Sequence, residues 1–358
     1  MSLVQKLVNK KLDIIGDIHG EVDALRNLLK SLGYDENGFH PADRKVIFVG
    51  DLCDRGPDST QVIKIVKNLI EKGNAQAVLG NHEINLLQNK AKDGAGWYFE
   101  EQIEKDKNYH PFNIASNEDK KMVYDFLVSL PLALEREDLR VVHAAWDNER
   151  IEYIKRVPLG QVANEYIQNE ENIDNEIKSS GLLDAYKEEQ KKWGKEQASE
   201  KGVLPFLETT AQYNLAHQMR NPLRVLTSGV EEKATQGYYA SGKWRFVQRC
   251  AWWDNYQDDV PVVVGHYWRK LKESKTDYES LFENIEATSW HGKKHNVFCV
   301  DYSVGGRFKE RNHGKTLGEE TTLAALRWPE NELMLEHGEV IKTTNFEKNS
   351  NPIKKMKV

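Results

Sequence analysis

Two aspartates and an arginine follow a short apolar run in the first sixty residues. The run at 46–49 leads through Gly50 into Asp51, Asp54 and Arg55. Such a run predicts a buried strand, and in open α/β sheets ligands bind beyond the carboxyl ends of the strands. Two carboxylates three residues apart suit a divalent cation, and an adjacent arginine suits an anion that this cation helps to hold. A strand-end Asp–Arg pair that only caps a loop is the alternative at this position.

Polar side chains follow apolar runs at several further points of the chain. They are Asp17 and His19, Asn81 and His82, His143, and His266. A lone histidine at a strand end is most often a structural residue with its hydrogen bonds satisfied. Here four of the eleven histidines occupy such positions, together with three aspartates, which makes the purely structural explanation improbable. The pattern therefore predicts a metal site.

The donor types narrow the choice of metal. Imidazole, carboxylate and amide oxygen without a thiolate suit Mn²⁺, Fe²⁺/Fe³⁺ or Zn²⁺, and disfavour an all-oxygen Ca²⁺ cage. The candidate ligands exceed what one open ion needs, so two ions are expected. In two-metal sites the ions lie roughly 3.5–4 Å apart and clamp both the attacking and the leaving oxygen of a displacement.

These side chains require strands that deliver them to one place. Strand, polar turn and helix repeat three times in the first 90 residues, which predicts right-handed βαβ crossovers and a parallel sheet with all three turns at the same edge. The predicted strands of the whole chain are 11–15, 45–49, 75–79, 132–134, 139–142, 262–264, 297–300, 323–327 and 332–336.

The strand-end segments also occur in a known family. They read Gly16-Asp17-Ile18-His19-Gly20, Gly50-Asp51-Leu52-Cys53-Asp54-Arg55-Gly56 and Gly80-Asn81-His82-Glu83, followed by His143 and His266. In this order they resemble the calcineurin-like metallophosphoesterases, specifically the phosphoprotein-phosphatase branch, over 11–145 and 249–329. The resemblance implies an α/β fold: a β-sandwich flanked by helices, here with a mostly helical insertion.

The resemblance also implies roles for individual residues. Asp17 and His19 would hold one metal ion, Asp51 would bridge both ions, and Asn81, His143 and His266 would complete the second site. His82 would be the general acid that protonates the leaving oxygen, oriented by Asp54. Arg55 and Arg249 would clamp the non-bridging phosphate oxygens, although Arg249 could also be a surface residue. We predict two divalent ions, with Mn²⁺ preferred and Fe or Zn as alternatives.

Within the branch, the stretch from Arg249 through Trp252 and Tyr256 to Gly265-His266 resembles bacterial diadenosine-tetraphosphatase-like enzymes and the phosphatase module of bacterial RNA-repair proteins. The family's usual residues are replaced by Ala145, Tyr267 and Tyr302, and 307–320 forms an extra loop. These departures lie where substrate would enter.

The resemblance implies a phosphoesterase that uses metal-bound hydroxide on phosphate esters or anhydrides, as a dinucleoside-polyphosphate hydrolase or phosphomonoesterase. A serine/threonine protein phosphatase is the alternative, and a non-catalytic binding protein on the same fold is a third hypothesis. No GxGxxG follows the first strand, which excludes a dinucleotide-binding oxidoreductase.

Domain boundaries follow from where the resemblance stops. We predict a core of 1–146 and 249–344, a helical insertion at 147–248 and a flexible tail at 345–358. Within the insertion, 161–200 contains ten acidic residues against five lysines and predicts exposed helices. They would form a cap over the site or a solvated insertion without a catalytic role.

Composition limits the remaining functional classes. The 358 residues carry a net charge of −6, which argues against stable nucleic-acid binding. The expected partner is a phosphorylated small molecule, a nucleotide or a phosphoprotein. Three scattered cysteines and the absence of a signal peptide or long apolar run predict a cytoplasmic protein with free thiols and no membrane contact. The oligomeric state stays open.

Two further points stay open in the sequence. Asp301 would support a ligand histidine or cap a strand. Trp252, Trp253 and Tyr256 would stack on a nucleobase or, more often for such spacing, belong to the core.

Overall fold

Two main β-sheets form the framework of the protein, with strands numbered along the chain. The computed structural model describes residues 1–240, 242–271 and 281–346. In spatial order, the five-stranded sheet contains β1 (Val4–Lys6), β5 (Ala133–Arg136), β6 (Leu139–Val142), β9 (Val262–Val264) and β10 (Val297–Cys299). The six-stranded sheet contains β13 (Val340–Lys342), β12 (Glu332–Leu335), β11 (Ala324–Trp328), β2 (Leu12–Ile15), β3 (Lys45–Phe48) and β4 (Ala75–Ala77). A separate hairpin pairs β7 (Glu231–Ala240) with β8 (Lys243–Arg249).

Helices cover the sheets and fill the long insertion. Those of the core are α1 (Val22–Leu32), α2 (Ser59–Glu71), α3 (Asn81–Leu87), α4 (Glu100–Ile103), α5 (Asn117–Leu127) and α11 (Arg307–Asn312). Those of the insertion are α6 (Asn148–Ile154), α7 (Val162–Ser179), α8 (Leu182–Gln197), α9 (Glu208–Arg220) and α10 (Pro222–Ser228). No helix in the described part of the chain combines the length and the apolar character needed to span a membrane.

The central strands, such as β2, β9 and β10, are buried on both faces, because one face packs on the other sheet and one on helices. Ile14 and Ile47 join an apolar cluster that contains residues of both sheets, including Val141 and Val263. Their neighbour Ile15 belongs instead to the cluster formed with the helices. Strands covered on both faces are near-continuous apolar runs, which is why the sequence shows them so clearly. The predicted α/β sandwich flanked by helices is confirmed.

The carboxyl ends of six strands point to one region. β2, β3 and β4 run parallel to one another, and so do β6, β9 and β10. Parallel strands place their carboxyl ends at the same edge of a sheet. The predicted convergence of the three polar turns is therefore confirmed, and the second sheet adds His143 after β6 and His266 after β9.

The insertion contains both exposed and buried helices, and it contains a hairpin in addition to the predicted helices. α8 has no buried residue, as expected for an exposed helix. Leu223 and Leu226 of α10, however, are fully buried in the main core, as is Ile154 of α6. The hairpin β7–β8, which ends the insertion, was not predicted.

Two predictions near the C-terminal end, the loop at 307–320 and the flexible tail, have different outcomes. The predicted loop at 307–320 begins with helix α11, in which Arg307 is buried and bonds to Glu336. The predicted flexible tail lies outside the described residues from 347 onward.

A buried ion cluster fixes β2, the strand that leads to Asp17. Asp13 of β2 is fully buried and accepts hydrogen bonds from Tyr34 Oη (2.7 Å), Arg44 Nε (2.9 Å) and Arg327 Nε (3.0 Å). Arg44 is only 4% exposed. The carboxylate therefore compensates a guanidinium that has little access to water.

We expect Asp13→Ala to lower the free energy of unfolding by about 3–5 kcal/mol, because it removes a buried carboxylate that pairs with Arg44 and Arg327 and leaves Glu330 as the remaining carboxylate partner of Arg44. Urea denaturation followed by circular dichroism measures this loss. The matched control is Asp125→Ala, which removes an exposed partner of Lys121 and should leave the denaturation midpoint in place. Equal midpoints for the two variants would contradict the role assigned to Asp13.

Candidate active site

Two groups of possible metal ligands lie at the converging strand ends. One contains His19, Asp51 and His82, and the other contains Asp51, His143 and His266. Within each group the ligand atoms lie within 4.8 Å of one another, and every member is buried. Because Asp51 belongs to both groups, its carboxylate is positioned to be shared between two cations.

The second group has its donor atoms fixed by backbone contacts. His143 Nδ1 lies 2.8 Å from the Val49 carbonyl oxygen, so this nitrogen donates and Nε2 keeps its lone pair. That Nε2 is 3.3 Å from Asp51 Oδ2 and 3.3 Å from Asn81 Oδ1. The same end of the Asn81 amide lies 2.9 Å from His266 Nδ1. Asp51, Asn81, His143 and His266 are therefore brought together as predicted.

The first group is arranged in the same way. His19 Nδ1 lies 3.1 Å from the Cys53 carbonyl oxygen, which directs Nε2 toward Asp51 Oδ2 (3.8 Å) and Asp17 Oδ2 (4.0 Å). Asp17 in turn accepts from the His266 backbone N–H at 3.1 and 3.2 Å. Asp17 thus connects the two histidines that come from different sheets.

His82 and Asp54 form a tight buried pair beside Asp51. His82 Nδ1 lies 2.6 Å from Asp54 Oδ2, and Trp97 Nε1 donates to Asp54 Oδ1 at 2.6 Å. His82 Nε2 remains 3.9 Å from Asp51 Oδ2, so it faces the region shared by both groups. Burial lowers the pKa of His82, but the charge of Asp51 and the bond to Asp54 outweigh it, and the net pKa is raised.

The two predicted arginines differ in how firmly they are held. The Arg55 backbone N–H donates to Gly94 O at 2.9 Å, and its guanidinium lies 3.3 Å from His19 Nε2 and 5.1 Å from the ring centre of Trp268. Arg249 is exposed at the end of β8 and lies 5.9 Å from the ring centre of Tyr267. The Arg55 guanidinium therefore contacts the first group directly, whereas Arg249 lies beside the residue that follows His266.

The backbone is strained where it carries these side chains. His19, Asp51, Asp54, Arg55 and His266 all have positive φ, between 47° and 74°. Such conformations cost of order 1–3 kcal/mol each in non-glycine residues and concentrate at functional sites. The rest of the fold must therefore hold these turns in place.

Two glycines permit the close approach of the chains. A Cβ on Gly80 would lie 2.2 Å from Asp51 Oδ1, and a Cβ on Gly265 would lie 2.0 Å from Asp17 Oδ1. Any larger residue at either position would displace a candidate metal ligand.

Glu83 has a structural role that the sequence analysis did not assign, although it belongs to the segment Gly80–Glu83 quoted there. Its fully buried carboxylate accepts from the backbone N–H groups of Asp51 (2.9 Å), Leu52 (2.8 Å) and Gly80 (2.8 Å). It thereby ties the turn after β3 to the turn after β4. The burial of an acid beside Asp51 is a three-dimensional fact that no local pattern reveals.

Two roles that the sequence left open, those of Asp301 and of three aromatic residues, are decided by their positions in the structure. Asp301 is buried next to Asp17, and its Oδ1 accepts from the Ser303 backbone N–H at 2.8 Å, so it caps the turn after β10 within the site. Trp252, Trp253 and Tyr256 are buried in the main core. The core alternative therefore describes these three aromatic residues.

A family comparison agrees with this geometry. Residues 10–207, more than half of the chain, match the family model described as calcineurin-like phosphoesterase. The chain belongs to the calcineurin-like phosphoesterase family. Membership implies bound divalent metal ions.

Curated relatives match over a shorter stretch. The bis(5′-nucleosyl)-tetraphosphatase PrpE [asymmetrical] of Oceanobacillus iheyensis is 49% identical over 75 residues, which cover 20% of this chain and 30% of that protein. The PrpE of a Geobacillus species is 51% identical over 75 residues, covering 20% and 31%. The chain thus spans under a third of the length of these curated relatives.

Solved structures resemble the chain more distantly. A cold-active protein-tyrosine phosphatase of a Shewanella species is 15% identical with a TM-score of 0.47, covering 96% of this chain and 83% of the other. A protein serine/threonine phosphatase from Saccharomyces cerevisiae is 13% identical with a TM-score of 0.46, covering 97% and 86%. These values are too low to inform on the reaction.

The residues of this calcineurin-like phosphoesterase fit the cations that the family implies. Burial, together with the charges of Asp301 and Asp51, raises the pKa of Asp17 well above its usual range. Burial and Arg55 lower the pKa of His19, while burial and Arg249 lower that of His266, so both imidazoles favour the neutral form that binds metal. His266 Nε2 is buried without a hydrogen-bond partner among the described residues. Bound dications would balance the negative charge of the carboxylates and accept the electron pairs of the neutral imidazoles.

Glu83→Gln should weaken metal binding by about 10–100-fold, the usual effect of losing a group that orients ligands. A glutamine side chain has only one accepting oxygen, so either the Asp51 and Gly80 N–H groups or the Leu52 N–H group would face an amide nitrogen, and the turn that presents Asp51 would be held less firmly. Competition with a chromophoric chelator, with manganese as the added ion, measures the affinity.

Glu101→Gln is the control, since this residue is exposed on α4 and makes the same change of charge. Manganese affinity that is identical in Glu83→Gln and in the parent chain would show that the buried carboxylate does not position the ligands.

Proposed function

We propose that this protein is a metal-dependent phosphoesterase that hydrolyses phosphoester or phosphoanhydride bonds. The observation that supports it most is Asp51, whose carboxylate belongs to both ligand groups while the Asp54–His82 pair stands directly beside it. A binding protein on the same fold has no need for a buried, carboxylate-oriented imidazole at the shared edge of two cation sites.

In this proposal Asp17, His19 and Asp51 hold one divalent ion, and Asp51, Asn81, His143 and His266 hold the other. Mn²⁺ is the favoured ion, with Fe or Zn as alternatives, because the donors are imidazole, carboxylate and amide oxygen. Two such ions supply Lewis-acid polarisation of a phosphoryl oxygen and a nucleophilic water at neutral pH.

His82 acts as the general acid toward the leaving oxygen. Its Nδ1 is held by Asp54, so only Nε2 is available to deliver a proton, and that atom faces the shared region near Asp51. Asp54 is itself fixed by Trp97, which makes the orientation of the imidazole independent of solvent. Such a positioned acid contributes typically 10²–10⁴-fold to a rate.

Arg55 and Arg249 bind the non-bridging oxygens of the substrate phosphate. A guanidinium matches two phosphate oxygens in a bidentate geometry. Arg55 is held by its backbone bond to Gly94 and by Trp268, whereas Arg249 enters from the insertion boundary.

A dinucleoside polyphosphate is the substrate we propose. The PrpE proteins that match this chain are named as bis(5′-nucleosyl)-tetraphosphatases, and the match is 49–51% identical. In the same proposal 1–146 and 249–344 form the catalytic core, and 147–248 form a cap beside the site. Free cysteines at 53, 250 and 299 favour a cytoplasmic location.

His82→Ala should lower kcat by about 10²–10⁴-fold on substrates with a poor leaving group, because the proton for the leaving oxygen is lost. The measurement compares manganese-loaded variant and parent on an alkyl phosphate and on p-nitrophenyl phosphate, whose good leaving group needs little protonation. The metal content of both proteins is determined in parallel.

His337→Ala, which removes an exposed histidine paired with Glu339, is the matched control and should retain full activity. Loss of bound manganese from His82→Ala would show that His82 is a ligand of the first group rather than the acid. If the manganese-loaded parent hydrolysed no phosphoester, the proposed reaction would be wrong.

A substrate panel tests the proposed class. With manganese, kcat/KM for diadenosine tetraphosphate should exceed that for phosphoserine and phosphothreonine peptides and for cyclic nucleotides by at least about tenfold, or about 1.4 kcal/mol of transition-state binding. A phosphopeptide at the head of the ranking would identify a protein phosphatase instead.

A further inference from the structure

A groove of about 640 Å³ runs through the insertion and reaches the active-site edge. It lies between α9, α10 and the hairpin β7–β8, and its lining includes Tyr213, Arg224, Tyr238, Lys243, Arg245 and Arg249. Its volume falls within the roughly 300–1,000 Å³ of small-molecule sites. The phosphoesterase mechanism described above uses only Arg249 at its near end.

Strand β8 directs a row of cations into this groove. Lys243, Arg245 and Arg249 are separated by two and four residues, so their side chains leave the same face of the strand. The intervening Trp244 and Phe246 belong to an apolar cluster with Leu207 and Ala211 of the insertion, and Val247, between the two arginines, both joins this cluster and lines the groove. At about 3.3 Å per residue, Arg249 and Lys243 are about 20 Å apart along the strand.

Within the described part of the chain, these three cations form no close ion pair. Among the residues that the structure describes, no acid lies within 4.0 Å of the charged nitrogens of Lys243, Arg245 or Arg249. By contrast, Lys233 of the same hairpin, which does not line the groove, pairs with Glu208.

The nearby acids do not balance the positive charge of the groove. Arg224 has Glu170 at 3.7 Å, and the half-buried Glu231 is opposite Arg249 in the ladder. Burial and the neighbouring charges of Arg245 and Lys92 lower the pKa of Lys243, as expected for a cation surrounded by cations. Among the described residues that line the groove, four cations (Arg224, Lys243, Arg245 and Arg249) therefore outnumber one acid, Glu231.

The near end of the groove adjoins the second ligand group. Arg249 lies 5.9 Å from the ring centre of Tyr267, the residue that follows His266. On α10, the Thr227 carbonyl oxygen lies 3.2 Å from the Asn81 side-chain amide, one turn from Arg224 in the groove wall. An anion bound at the metal edge can therefore extend into the groove.

The lining changes at the far end. A smaller cavity of about 180 Å³ shares Asn214 and Lys243 with the groove, and its other side chains include Gln190, Gln197, Thr210 and Tyr186. Amide, hydroxyl and aromatic groups suit an uncharged group that forms hydrogen bonds, such as a nucleoside, better than another phosphate.

We infer that the β8 groove binds a linear polyphosphate chain that extends from the phosphate under attack and ends in a nucleoside. Arg245 binds phosphates remote from the reacting one, and Lys243, which lines both cavities, stands where the last phosphate meets the nucleoside in the distal cavity. The inference rests on the proposed function and adds to it the location of the distal half of the substrate. A phosphomonoester reaches only Arg249 and leaves the remaining groove empty.

The test is the double substitution Lys243→Gln and Arg245→Gln in the full chain loaded with manganese. Within each protein, kcat/KM for diadenosine tetraphosphate is divided by kcat/KM for p-nitrophenyl phosphate. The loss of two charge-assisted contacts should lower this ratio by at least about tenfold, mainly through KM. The control, Lys187→Gln with Lys195→Gln, removes two exposed charges of α8 outside both cavities and should keep the parent ratio.

A binding measurement separates this inference from the proposed reaction. Calorimetry with inorganic tripolyphosphate and chelator-treated protein should show weaker binding in the Lys243/Arg245 variant than in the parent and the α8 control, whether or not the protein is an enzyme. An unchanged ratio in an active enzyme, or equal tripolyphosphate affinity in all three proteins, would overturn the groove assignment. A selective loss of phosphopeptide hydrolysis would also overturn it, in favour of a peptide groove.

Discussion

The structure depends on holding several acidic groups close together out of water. Asp17, Asp51 and Asp301 are buried at the junction of two sheets, beside buried imidazole rings and the side-chain amide of Asn81. Buried like charges repel strongly at low effective dielectric, so this arrangement is unfavourable unless cations compensate it. For this reason, bound cations would stabilise the folded conformation of the strand ends as well as take part in the reaction.

The rest of the fold holds these acidic groups in place by fixing the backbone that carries them. Parallel strands bring the turns together, but the turns themselves contain five non-glycine residues at positive φ. Glu83 binds three backbone N–H groups across two of these turns, and Asp13 anchors β2 through two arginines. Both carboxylates act at a distance from the chemistry, because each one stabilises the chain segment that presents a ligand.

How much the sequence could predict follows from how local each feature is. An apolar run that ends in a charged residue is local, so Asp17, Asp51, Asn81, His143 and His266 were all found, and the structure brings them together. The contacts of Glu83 join residues about thirty positions apart and have no sequence pattern. Strand β8 does have a local sequence pattern, because Lys243 and Arg245 alternate with Trp244 and Phe246. It follows long helices, however, and the sequence analysis assigned the segment to a helical insertion. The burial of Leu223 and Leu226 in the main core depends on tertiary packing alone.

The division between core and insertion has a physical reason. Hydrolysis of phosphorus esters needs the same few groups whatever the rest of the substrate is, and these groups come from the strand ends of the sandwich. Recognition of the rest must come from surfaces beyond the metal edge, and β8 is the element that begins there, with Arg249 at the site and Lys243 far from it. A single strand whose cations share one face can therefore connect the reacting phosphate with a distant binding site without altering any metal ligand.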